Sequence, residues 1–395
     1  MRSAVAAAIA IALAPLAGAA ARVGSLDLSR VVVVGDSLTA GFQNFSLFDG
    51  SSPGAPLGGQ EFGYPALIAQ QAGVTLTLPL ISYPGLPPAL TLSGGQIVRA
   101  AGIGVREFPL LQAFNLSVPG FNVADALAHP FPGDPIHNPI DLLSDAVLGA
   151  PNPAVAGCGP ILSGSAFVVS EVQCAAALRP SMIIIGLGNN DALQALTTGA
   201  PPTPVLDFRN QYHELTATLA ATGAPMVIAN IPDVTALPFL VPVPAFAAQC
   251  GFMPPGAMPG DFVAPNITNT AATSLDLCSN YAVRPAALVA AARNAVNAYN
   301  NIIKDEAKAV DAEVADINKL FAHIARHGYK LGNGRILTAE FGGGLFSLDG
   351  IHPTNTGQAI LANEVIKTIN TAFHTGIPAI SVEGIAQSDP LVPKP

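Results

Sequence analysis

Five short β-rich runs constrain this chain most: VVVV (31–34), LQAFNLSV (111–118), MIIIGLG (182–188), MVIANI (226–231) and AEVADI (312–317). Most of these are continuous apolar stretches bounded by Gly or Pro rather than alternating ones, the pattern of strands covered on both faces. Helical patterns fall between and after them at 63–72, 122–128, 207–222, 284–310 and 355–373. Strands that alternate with helices specify an α/β class protein: a three-layer α/β/α sandwich with a central, mostly parallel five-stranded sheet.

Four segments rich in Gly and Pro interrupt this alternation, at about 43–62, 75–108, 130–165 and 235–280. Structureless loops of that length are uncommon in compact domains unless they serve a function. Their apolar content, as in LPFLVPVPAFAA, is too high for solvated linkers, so they read as insertions packed over one rim of the sheet that shape a substrate cleft, the alternative being surface decoration. The domain is expected to run from 22 to 380, with 381–395 as a C-terminal tail. No internal repeat of 20 to 50 residues is visible.

The first 21 residues, MRSAVAAAIAIALAPLAGAAA, combine one Arg, an apolar stretch from Ala4 to Leu16 and small residues suited to cleavage. That is the make-up of an export signal, and the apolar stretch is short of the roughly 20 residues that span a bilayer. The expectation is an exported protein, periplasmic or extracellular, with no transmembrane segment in the mature chain. Its four cysteines, Cys158, Cys174, Cys250 and Cys278, fall in two sequence-local pairs. In an oxidising compartment this suggests disulfides Cys158–Cys174 and Cys250–Cys278, although four cysteines allow three connectivities. No Cys or His cluster has zinc spacing, so no metal is expected. A net charge of −9, with only 11% charged residues, argues against nucleic acid as a partner.

In open parallel sheets ligands bind at the carboxyl ends of the strands, so the residues just after each run carry the functional information. Gly35-Asp36-Ser37-Leu38 follows the first run, Asn115-Leu116-Ser117-Val118-Pro119-Gly120 closes the second, Gly188-Asn189-Asn190-Asp191 follows the third, and Asp349-Gly350-Ile351-His352-Pro353 stands near the end. A serine hydroxyl attacks an ester only if a base takes its proton, and His352 is the candidate base for Ser37. Asp349, three residues before it, can hold the imidazole and stabilise the imidazolium that forms. The oxyanion produced by attack needs preorganised donors: the backbone N–H groups of Ser37 and Gly120 and the amide of Asn190 are available. Asp36 reads as a strand-end residue that orders the nucleophile loop, and Asp191 as a helix-start residue or a partner of Asn190. The other histidines, His129, His137, His213, His323, His327 and His374, lie in no comparable constellation.

In their order and spacing these four blocks resemble those of the SGNH hydrolases, the GDSL esterase/lipase family. GDSL supplies Ser37, NLSVPG supplies Gly120, GNND supplies Asn190, and DGIHP supplies Asp349 and His352. The resemblance covers roughly 31–373 and leaves the insertions unaligned. It implies a flavodoxin-like SGNH fold, a catalytic triad of Ser37, Asp349 and His352, an oxyanion hole of Ser37, Gly120 and Asn190, and no cofactor.

The function expected is therefore that of a secreted serine ester hydrolase of carboxylesterase or lipase type, a monomer acting on small-molecule or lipid esters through an acyl-enzyme. A carbohydrate O-acetylesterase and a catalytically silent binding protein of the same fold are the alternatives. The absence of Trp leans against sugar stacking. A metal-dependent phosphoesterase is disfavoured because the chain has no Asp-x-His motif.

Overall fold

A computed structural model describes residues 22–24, 26–128, 139–149, 158, 170–266 and 276–394. The expected export signal, His129, His137 and most of the 130–165 insertion lie outside the described residues.

The central sheet contains β1 (Val31–Gly35), β2 (Met182–Gly186), β3 (Met226–Ala229) and β4 (Glu313–Ala315), all parallel, in the spatial order β4-β3-β2-β1. In register, Gly35 lies opposite Gly186 and Ile185 opposite Ile228. The valines of β1 and the isoleucines of β2 are buried, as strands sandwiched between helix layers require.

The fifth strand expected at 111–118 is much shorter. Residues 114–118 run parallel along the outer edge of β1, where Val33 N–H donates to Phe114 O and the N–H groups of Leu116 and Val118 donate to Val33 O and Gly35 O. Only Val33 and Asn115 form a bridge. On the other edge the N–H groups of Phe114 and Asn115 both bond to Thr77 O, a loop carbonyl, so this segment borders irregular chain rather than a further strand. Counted with it, the order is that of a flavodoxin-like sheet, and its direction reverses between β1 and β2. Ligands bind at such a switch point.

On one face pack α2 (Tyr64–Ala72), α8 (Asn355–Phe373) and α9 (Val382–Ser388). On the other lie α3 (Glu171–Ala177), α5 (Val205–Ala220) and α6 (Ala286–Ala309). Between them in sequence come α1 (Ser37–Ala40), α4 (Asn189–Thr197) and α7 (Ile317–His327). Residues 381–394, expected from the sequence as part of a C-terminal tail, pack against the domain. Asp389 is buried and accepts hydrogen bonds from Thr356 N–H and Oγ at 2.9 and 2.8 Å, which fastens α9 to the start of α8.

The insertions carry structure of their own. A hairpin pairs Leu90–Ser93 with Gln96–Arg99, and a three-stranded antiparallel sheet joins Val241–Pro242, Phe262–Pro265 and Tyr281–Arg284. Both cysteine pairs are bonded: Cys250–Cys278 ties the 235–280 insertion together and Cys158–Cys174 fastens residue 158 to α3, with Cα separations of 5.4 and 5.3 Å. No described helix is long and apolar enough to cross a membrane.

Candidate functional site

β1 ends at Gly35, where a Cβ would collide with Thr39 Oγ1 and come within 2.9 Å of Gly186 O, so only glycine permits the turn at this point. Asp36 then caps α1, accepting the Leu38 N–H at 3.0 Å, and Ser37 is the first helical residue. The cap is thus Asp36 rather than the serine. As the first residue of the helix, Ser37 has an N–H with no intrahelical acceptor, which leaves it free for a ligand oxygen.

The acid and base sit on one short loop before α8. His352 Nδ1 lies 2.9 Å from Asp349 Oδ2, and both side chains are buried. Because a carboxylate only accepts, Nδ1 carries the proton and Nε2 keeps its lone pair. Asp349 Oδ1 accepts from the N–H groups of Ile351 and His352, both at 2.8 Å, while Oδ2 also accepts from Phe45 N–H at 2.6 Å. Burial alone would push the Asp349 carboxyl up, but the neighbouring His352 and these hydrogen bonds hold it below the usual carboxylate range. The imidazole also packs edge-on against Phe42, with centroids 4.9 Å apart.

Gly120 follows the 114–118 segment with φ of +92°, a left-handed conformation that favours glycine. The Val118 N–H bond to Gly35 O brings this turn to the same sheet edge as Ser37. Asn190, in the first turn of α4, donates one amide hydrogen to Phe121 O at 2.8 Å, beside Gly120, and its NH2 has a second hydrogen to offer. Asp191 is a helix-start residue as expected, but its carboxylate accepts from Val123 N–H at 3.1 Å rather than bonding Asn190.

Beneath these groups lie three buried carboxyls. Asp36 is pushed up to about 6 by burial, against the hydrogen bonds from Asn189 and Leu38 and the neighbouring His352. Asp191 is pushed up to about 7 by the same desolvation, and Glu171, which accepts the Gly35 N–H at 2.5 Å, rises well above the carboxylate range.

Sequence reasoning missed several supporting residues. Asn189 donates to Asp36 Oδ2 at 2.7 Å. Asn44 accepts from Leu348 N–H through Oδ1 and donates its own N–H to Ser347 Oγ, so with Phe45 it clasps the acid loop. Asn44 and Phe45 both have positive φ, near 53°. The adjacent asparagines of GNND were a usable signal for Asn189; nothing local marked Asn44, Phe45 or Glu171.

An apolar crevice of about 60 Å³ opens from Ser37 and Asn189 across the ends of β3 and β4, with Leu193, Val234, Leu237 and Ile317 on its walls. A larger cavity of about 340 Å³ lies beyond a partition in which Phe239 N–H donates to Gly350 O; it touches Asp349 and Gly350 but neither Ser37 nor His352. Among the described residues, no group of three or more His, Cys, Asp or Glu side chains could hold a metal ion.

The fold and the site define a class: an α/β protein that gathers a serine, a histidine–aspartate pair and amide donors at the carboxyl edge of a parallel sheet. The chain belongs to the GDSL-like lipase/acylhydrolase family, whose sequence profile matches residues 31–365. Similar solved structures include LAE5, an alpha/beta hydrolase enzyme from the metagenome of Lake Arreo, with 13% identity, a TM-score of 0.40, and coverage of 90% of this chain and 98% of that one. Axe2, an acetylxylan esterase from Geobacillus stearothermophilus, shows 13% identity and a TM-score of 0.40 over 88% of this chain and 95% of its own. Likeness at that level carries no argument about substrate. A comparison with curated protein sequences finds no match.

Proposed function

We propose that this protein is an exported serine carboxylesterase that hydrolyses esters of short apolar acyl groups through an acyl-enzyme on Ser37. The observation that carries this reading is the 2.9 Å bond between His352 Nδ1 and Asp349 Oδ2, which leaves Nε2 as the base. Ser37 Oγ attacks the ester carbonyl as its proton passes to Nε2, and the developing oxyanion is met by the N–H groups of Ser37 and Gly120 and the Asn190 amide. Collapse expels the alcohol, which takes the proton from His352. A water, deprotonated by the same nitrogen, then releases the carboxylic acid and restores Ser37.

The crevice beside Ser37 supports an apolar acyl group, because its lining offers almost no hydrogen-bonding side chain. Its volume admits only a few water-sized groups, which favours acyl chains of a few carbons over long ones. Export rests on the first 21 residues and agrees with two disulfides.

A p-nitrophenyl ester series from acetate to decanoate, with acetylated xylan alongside, tests this on wild type and Ser37→Ala. Highest kcat/KM at acetate to butyrate is expected, undiminished in EDTA and lost at least a thousandfold in Ser37→Ala. Turnover of xylan alone would point instead to a carbohydrate O-acetylesterase, and no turnover of any ester would leave a silent binding protein.

A further inference from the structure

A second apolar crevice, about 50 Å³, adjoins the one that opens at Ser37, between α7 and α8. Its own walls are Leu320, Ile324, Leu345, Gly357 and Ile360, and it contains no charged side chain. The two crevices share four residues, Phe321, Phe346, Pro353 and Leu361. Two of these meet edge to face: the Phe321 and Phe346 rings have centroids 5.6 Å apart at 77°. Both rings are largely buried, and the pair stands at the junction of the two crevices.

Resting on the esterase reading above, we propose that the Phe321–Phe346 ring pair is an internal gate that closes the acyl crevice and sets the longest acyl chain the enzyme accepts. The site behind the gate suits the methyl end of a linear, medium-length acyl chain. A terminal hydroxyl or carboxylate would find no hydrogen-bonding side chain among its walls. Phe346 is bridged through its backbone to Pro353, next to His352, so truncating it would disturb the base. Phe321 stands on α7, touches that loop only through its ring, and is the residue through which the gate is opened. Removing its ring joins the two crevices into one channel that starts at Ser37.

The test is the ratio of kcat/KM for p-nitrophenyl decanoate to that for the butyrate, which cancels any general loss of activity. It is measured in wild type, Phe321→Ala, Phe321→Leu and the double variant Phe321→Ala/Ile360→Phe, with a thermal melt of each. The ratio is expected to rise at least tenfold in Phe321→Ala and by a smaller factor in Phe321→Leu. Refilling the rear crevice in the double variant returns it to within threefold of wild type. An unchanged or lower ratio in folded Phe321→Leu would overturn the gate while butyrate turnover upholds the esterase reading. Wild type that already prefers decanoate would also overturn it. Failure to hydrolyse any ester would sink the underlying reading and the gate with it.

Discussion

Replacing Asp349 by Asn tests the acid–base geometry at the cost of a single atom type. The carboxylate receives four hydrogen bonds, from the N–H groups of Phe45, Ile351 and His352 and from His352 Nδ1. A carboxamide has one accepting oxygen. With that oxygen kept by Ile351 and His352 N–H, the new NH2 faces Phe45 N–H and Nδ1. The imidazole resolves the second clash by moving its proton to Nε2, and then it no longer accepts from Ser37. A triad histidine held in the wrong tautomer loses roughly 10³ to 10⁴ in kcat, about 4 to 5.5 kcal/mol of barrier. The orphaned Phe45 N–H costs a further 1–3 kcal/mol or so of stability, roughly a few degrees in Tm. Steady-state kcat on p-nitrophenyl butyrate, with a melt on the same sample, measures both. A folded Asp349→Asn protein within tenfold of wild type would refute the assignment of base and acid.

Other consequences follow from the same contacts. Asp191, at about 7, keeps a proton in the folded protein that the unfolded chain, near its ordinary 3.8, has already lost. Its contribution to stability therefore falls as pH rises from about 4 to 7, by up to roughly 4 kcal/mol. Asp191→Asn should flatten that part of the Tm–pH curve, and an unaltered slope would count against a buried, raised carboxyl. Gly120→Ala places a side chain at φ +92° and should lower kcat by about a hundredfold with a modest fall in Tm, so full activity would remove Gly120 from the oxyanion site. Asn189→Leu takes the 2.7 Å donor from buried Asp36 and should destabilise by about 1–3 kcal/mol in chemical denaturation; no change would show the bond to be unimportant.

Much of the fold was legible because burial on both faces leaves a direct mark: the valines of β1 and the isoleucines of β2 could hardly lie elsewhere. The helix 355–373 was read to the residue, since Thr354 caps it and its apolar stripe is regular. The short edge segment was overread, because sequence displays apolar content but not which carbonyl, here Thr77 O, takes the outer hydrogen bonds. Helices α3 and α7 escaped notice, and α4 was marked only at its start by Asp191; α7 begins immediately after β4, where the two periodicities merge. At the site, Ser37, Gly120, Asn190, Asp349 and His352 each stand in a recognisable local block. Asn44, Phe45 and Glu171 act through contacts spanning 136 to 304 residues, for which no local pattern exists.

The central claim, a covalent acyl-enzyme on Ser37, is tested most directly by treating the folded protein with a fluorophosphonate and locating the adduct by peptide mass spectrometry. One equivalent on Ser37, absent from Ser37→Ala and greatly slowed in His352→Ala, is the predicted result. Labelling at another residue, or none in fully folded wild type, would contradict it.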